Sequence, residues 1–214
     1  MYLSPRAFAL YSPQGRDKLA KKYASVMRGE ENANIFLDLW LEVVYTKRIW
    51  HYMWDLYLEE NVPILRKLHE PFWSLHQEIV QQYVALRLAR LLDKKTIGGH
   101  RNLSVSQVED FFEGTDREEV GSLLIELKKK GEFLKSYRHK YIAHRDLDQL
   151  KMASPSFTMG EVEDVLESIE SLLRFVEEKC NINDDQGWHN YEYNPSIRFM
   201  DALRTSLKDE ILEE

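Results

Sequence analysis

From Tyr137 to Asp148 the chain reads Tyr-Arg-His-Lys-Tyr-Ile-Ala-His-Arg-Asp-Leu-Asp. Arg138, His139 and His144 are the residues here whose types could do chemistry. An arginine offers a planar fork of donors that fits a phosphate, and a histidine exchanges a proton near neutral pH. With fourteen arginines and seven histidines in the chain, an arginine followed by a histidine at this spacing is within reach of chance, so the setting carries the weight. A polar residue follows the arginine, Tyr137 and Tyr141 stand one turn apart, and the helical pattern stops at His144. Between Lys128 and Arg145 there are seven lysines and arginines against one acid, Glu132, a local charge of +6 in a chain of net charge −7. An acidic body argues against coating nucleic acid through bulk electrostatics. A basic patch that coincides with the Arg/His pair points to phosphate contact, and a solvated helix face is the competing reading of Lys128, Lys129 and Lys130.

The elements that must position these residues read as helices throughout. Pro5 and Pro13 mark an irregular lead-in, and a short helix can follow to about Arg28, where Gly29 stops it. A first long helix is expected over about 33–60. Phe36, Leu37, Leu39, Trp40, Val43, Val44 and Trp50 make its apolar stripe wide enough to pack on more than one side. Pro63 suits the first turn of a second long helix ending near Asp93. A loop is expected over 94–102. Capping boxes are expected at Ser104 to Gln107, Thr115 to Glu118 and Thr158 to Glu161. From Asp116 to about Ala143 the three-and-four spacing of Val120, Leu123, Leu124, Leu127, Leu134, Tyr137 and Tyr141 predicts one continuous helix. A polar loop follows to Phe157, then an amphipathic helix to about Lys179, an irregular stretch over 181–194 and a last helix beyond Pro195. No strand pattern and no internal repeat is visible.

With 214 residues, 43% of them apolar, the chain can bury one sizeable core plus a small appendage. We divide it into a lead-in with a short helix over 1–30, a helical domain over 31–180, and a polar loop with a C-terminal helix over 181–214. The lone Cys180 excludes an intrachain disulfide, the start lacks a secretory pattern, and charges break the Trp-rich run 36–58, so a cytoplasmic protein outside the membrane is expected. There is no glycine-rich phosphate loop, no nucleophile elbow, no paired-cysteine site and no Glu-x-x-His pair for a di-iron centre. No metal and no cofactor is expected. His69 and His76 read as a core or interface pair.

The run Arg138-His139-Lys140-Tyr141-Ile142-Ala143-His144 resembles the signature of the HEPN superfamily: Arg, a polar residue, three to five more, then His. Leu91-Leu92-Asp93, Gly98-Gly99 and Asn102-Leu103-Ser104 resemble the branch related to the abortive-infection protein AbiU. The resemblance implies an all-α antiparallel bundle with long helices and a C-terminal helical extension. It also implies a homodimer with the motif helices in a shared cleft, and metal-independent cleavage of RNA in a defence or toxin role. Arg138, His139 and His144 would form the catalytic set, with Lys135, Lys140, Tyr141 and Arg145 holding RNA. An antitoxin or regulatory protein is a further expected partner. One toxin branch has four residues between Arg and His and a tyrosine two beyond the His. Here there are five and Asp146, so neutralisation by modifying that tyrosine is not implied. Two alternatives stay open: a non-catalytic module that binds RNA or a nucleotide, or serves as a dimerising scaffold, and a structural role in which Arg138 pairs with Asp146 or Asp148.

Overall fold

The computed structural model describes residues 12–139, 157–182 and 195–212. Ser12 opens α1 (Pro13–Ala24) by accepting the Gly15 amide at 3.1 Å, with Pro13 in the first turn. Beyond it, Arg28 and Gly29 take positive φ angles and turn the chain into α2 (Glu30–Leu56). This helix is the centre of the fold. Its buried residues, among them Phe36, Leu37, Trp40, Val43, Val44 and Trp50, face several directions, and α1, α3, α6, α7 and the 3-10 helix all pack on it. Tyr23, Trp40 and Phe111 each meet Phe36 edge to face at 6.4–6.5 Å, which locks α1 and the 3-10 helix to α2.

The second long helix, α3 (Val62–Leu91), is kinked where a straight one was expected. Pro71 has no amide to donate and its ring crowds the preceding turn. His69 accordingly leaves helical geometry (φ −170°, ψ 86°), and its Nδ1 accepts the Phe72 amide at 3.1 Å, capping the second half. Past the kink, α3 buries Val84, Ala85, Leu88, Ala89 and Leu91, while Phe72, Leu75, Ile79 and Tyr83, like Leu68 just before it, stay exposed.

The expected loop after α3 is a small hairpin, β1 (Thr96–Ile97) paired antiparallel with β2 (His100–Arg101). Gly98 and Gly99 form its turn with φ of 58° and 82°, a pair of left-handed conformations that a tight hairpin of this kind requires. Asn102 and Ser104 fasten it to the end of α3. The Asn102 backbone amide donates to the Lys95 carbonyl, its side chain donates to the Lys94 carbonyl, and the Ser104 hydroxyl donates to the Asp93 carbonyl. Ser104 also caps the 3-10 helix (Val105–Phe111), but Gln107 turns its side chain to the Asn102 carbonyl rather than back to the cap, so no reciprocal box forms.

The helix expected to run from 116 to 143 is two helices, α4 (Gly114–Lys130) and α5 (Glu132–Tyr137). The break falls at Gly131 (φ −87°, ψ 10°), which sits close against the end of α3: a Cβ there would lie 2.1 Å from Leu92 Cδ1, so a larger residue would require the Leu92 side chain to move. The Thr115 box is absent because the helix starts two residues early, at Gly114 (φ 59°), which places Thr115 inside it. At Thr158 the reciprocal box is present and opens α6 (Met159–Lys179), whose one-sided row of Val162, Val165, Leu166, Ile169, Leu172, Leu173 and Val176 is buried. Finally, α7 (Pro195–Leu212) lies on α2, where Met200 packs with Leu56 and Leu65. The fold is an all-α helical bundle with one two-residue β-pair among the described residues. No described helix is long and apolar enough to cross a membrane.

Candidate nucleic-acid site at the end of the third helix

Leu134 and Tyr137 bury one side of the short α5, and this aims the next residue, Arg138, back at the end of α3. Arg138 and His139 continue in a wider, π-helical turn. The Arg138 guanidinium grips Asp93 with both terminal nitrogens, Nη1 to Oδ2 at 2.7 Å and Nη2 to Oδ1 at 2.9 Å. The pair is partly buried, with the arginine side chain 31% and the aspartate side chain 15% exposed. The hydrogen bond from Asp93 outweighs burial and raises the arginine pKa further above its already high value, so the cation is fixed. Asp93 is fixed too, because its carbonyl accepts from Ser104 in the hairpin anchor.

The structure thus brings Arg138 together with a residue to which sequence reasoning gave no role, 45 positions upstream. The alternative partners Asp146 and Asp148 lie outside the described residues, as do His144, Lys140, Tyr141 and Arg145. His139 is exposed beside Arg138. Tyr137 is buried, and its ring meets Phe157 edge to face at 4.9 Å, so the residues on either side of 140–156 are held against each other. Lys135 stands 3.6 Å from Glu132 in an exposed pair.

A cavity of about 630 Å³ opens beside the Arg138–Asp93 pair, between the hairpin and helices α4 and α5. Asp93, Lys94, Thr96, Gly98, Lys128 and Lys135 line it. Burial lowers the Lys128 pKa; Glu109 opposes the shift, and Lys135 and Lys95 add to it. Lys128 and Lys94 went unread in the sequence as a pair because 34 positions separate them along the chain.

The remaining histidine and cysteine candidates are structural. His76 Nδ1 lies 2.7 Å from the Tyr57 hydroxyl, which also reaches the Trp73 carbonyl at 2.8 Å. Burial lowers the His76 pKa and raises that of Tyr57 to about 12. Cys180 is buried and its thiol is pushed up to about 11, chiefly by desolvation. Among the described residues no three His, Cys, Asp or Glu side chains gather as a metal site.

Residues 30–198, which span α2 through the start of α7, match the family model of AbiU2 within the HEPN group. The chain belongs to the AbiU2 family of HEPN domains. That membership makes it an abortive-infection HEPN domain, and the residues whose resemblance pointed there, Asp93 through Ser104 and Arg138, prove to be neighbours in the fold. No curated protein and no solved structure matches the AbiU2-type chain.

Proposed function

We propose that this AbiU2-family chain is a metal-independent endoribonuclease of the HEPN type, acting as a homodimer in a defence or toxin role. The observation that supports the reading is Arg138, a charged, oriented guanidinium beside a lysine-lined cavity. Asp93 takes one N–H from each terminal nitrogen, which leaves three of the five donors for a phosphate and fixes the plane in which they point. A ribose 2′-hydroxyl attacks the adjacent phosphorus, the P–O5′ bond breaks, and the products are a 2′,3′-cyclic phosphate and a 5′-hydroxyl. His144 takes the proton of the attacking hydroxyl or returns one to the leaving oxygen. Arg138 stabilises the charge that builds on the phosphoryl oxygens. In this reading His139 orients the strand, and Lys135, Lys140, Tyr141 and Arg145 hold it.

Six residues at about 100° each leave Arg138 and His144 roughly 120° apart around a straight helix, so a single helix does not aim both at one phosphate. A two-fold dimer solves this by letting each protomer complete the other's site. A second reading, a non-catalytic RNA-binding or dimerising module, is favoured by the Asp93 contact itself, since a bidentate ion pair of this kind is also a structural lock.

The test is cleavage of bulk RNA by the purified chain in EDTA, with analysis of product ends, against a folded and equally oligomeric His144→Ala variant. Cyclic-phosphate ends that vanish in the variant support the nuclease. RNA bound but uncut by both proteins supports the binding module.

A further inference from the structure

We propose that the cavity between the β1–β2 hairpin and helices α4 and α5 is a second phosphate subsite, which holds a phosphate group next to the one that Arg138 engages. The inference rests on the RNA reading of the Arg138 site and names where the strand runs from there.

Charge bookkeeping around the cavity supports an anion. Asp93, the acid in its wall, already has its two oxygens committed to Arg138. Glu109 and Asp110 are held by Lys95 at 3.2 and 2.8 Å, and Glu132 reaches Lys135 at 3.6 Å. Lys94 and Lys128 have no carboxylate at ion-pair distance among the described residues, although Lys128 is half-buried and feels Glu109 as well as Lys135 and Lys95. Glu109, which is shared with Lys95, offsets only part of the repulsion among these lysines, and a bound anion would offset the rest. The volume of about 630 Å³ is that of a small-ligand site, and Thr96 adds a hydroxyl donor to its wall. A dianionic or diester phosphate is the ligand that three ammonium groups on flexible stems accommodate. Asp93 is at once a wall of this cavity and the partner of Arg138, so the two phosphate positions share a boundary.

Two sources carry that group: the backbone of an RNA strand and a free nucleotide. The experiment is a fluorescence-anisotropy titration of a labelled single-stranded RNA 20-mer with the full chain carrying His144→Ala, across a potassium chloride series. Lys94→Gln and Lys128→Gln are added singly and together, and Lys67→Gln, at the far end of α3, serves as control. Each lysine that contacts a phosphate contributes about 0.7 to the slope of log affinity against log salt on single strands. Each removal therefore lowers the slope by about 0.7 and weakens binding about fivefold at 0.1 M salt, and the control changes neither. Competition by adenosine triphosphate at matched ionic strength identifies the source: displacement that needs Lys128 assigns a free nucleotide, and none assigns the RNA backbone. Unchanged slope and affinity in the double variant, with a native circular-dichroism spectrum, overturn the subsite. The nuclease reading stands or falls separately. A Lys-dependent slope when the chain with His144 intact never cuts RNA leaves the subsite without the nuclease, and normal cutting at unchanged KM by a chain that keeps His144 and carries Lys94→Gln with Lys128→Gln leaves the nuclease without the subsite.

Discussion

Replacing Asp93 by Asn keeps the size and backbone of the residue and removes its charge. The two contacts to Arg138, at 2.7 and 2.9 Å, do not survive together, because one of the oxygens becomes an NH₂ group facing a guanidinium donor. A hydrogen bond between charged groups contributes about 1.5–3 kcal/mol. With the side chains 31% and 15% exposed, solvent screening brings the expected loss to about 1–2 kcal/mol. Urea unfolding measures it, and a double-mutant cycle with Arg138→Gln isolates the pair: each single change destabilises, and the double change costs less than the sum by about 1–2 kcal/mol. Strict additivity of the two changes would show that the pair carries no coupling and would refute the argument that Asp93 positions Arg138. Cleavage provides a readout that a structural role would leave alone. If Asp93 holds the plane of the guanidinium, Asp93→Asn lowers kcat by roughly 10- to 100-fold at temperatures where the variant is fully folded, and Asp93→Glu restores part of it.

Gly131→Ala must displace the Leu92 side-chain tip, and it is expected to cost no more than about 1 kcal/mol because that tip can shift and the backbone there (φ −87°) accepts alanine; in urea titrations, Leu92→Ala in the same chain removes the effect of the clash. Because burial lowers the folded-state pKa of His76, the unfolded chain binds that proton more readily, so stability falls as pH drops from about 6.5 through the lowered value. Urea midpoints at pH 7.5 and 5.5 detect this, and His76→Asn flattens the difference. Mixing Arg138→Ala chains with His144→Ala chains restores cleavage if each site combines Arg138 of one protomer with His144 of the other, since the mixed dimer then contains one intact pair; no recovery after subunit exchange means that both residues act within one chain.

The helices were legible because their signals are local. The wide stripe of α2 announced a helix packed on several sides, and Thr158 with Glu161 formed the capping box that their spacing suggested. Readings failed where a distant contact overrode a local pattern. The three-and-four spacing runs straight through Gly131, and the close packing of that point against Leu92, 39 positions earlier, is a contact no local pattern shows. Thr115 and Glu118 carry a capping pattern that Gly114 pre-empts by starting the helix early. At α3 the missing information was local and overlooked: Pro71 forces the kink, and His69 caps the half that follows.

For the site, the arginine was legible and its partner was not. A sequence shows that Arg138 can hold an anion and offers Asp146 and Asp148, which lie outside the described residues, as partners nearby in the chain; nothing local points to Asp93, 45 positions upstream, which the guanidinium meets. Asp93 is selected by the fold: α3 ends at Leu91, the Gly98–Gly99 turn brings Ser104 back to the Asp93 carbonyl, and the Gly131 break redirects α5 so that Arg138 returns to the same point. Each of those three features looked like ordinary punctuation by itself. Their common product is a guanidinium clamped on one edge with donors left on the other, bordered by lysines of which Lys94 and Lys128 have no carboxylate at ion-pair distance among the described residues. A structural ion pair needs only the clamp. Lys94 and Lys128, across the Asp93 wall, have no carboxylate at ion-pair distance among the described residues, so the proposed phosphate-bearing strand is a ligand that would use the clamp and the lysines together.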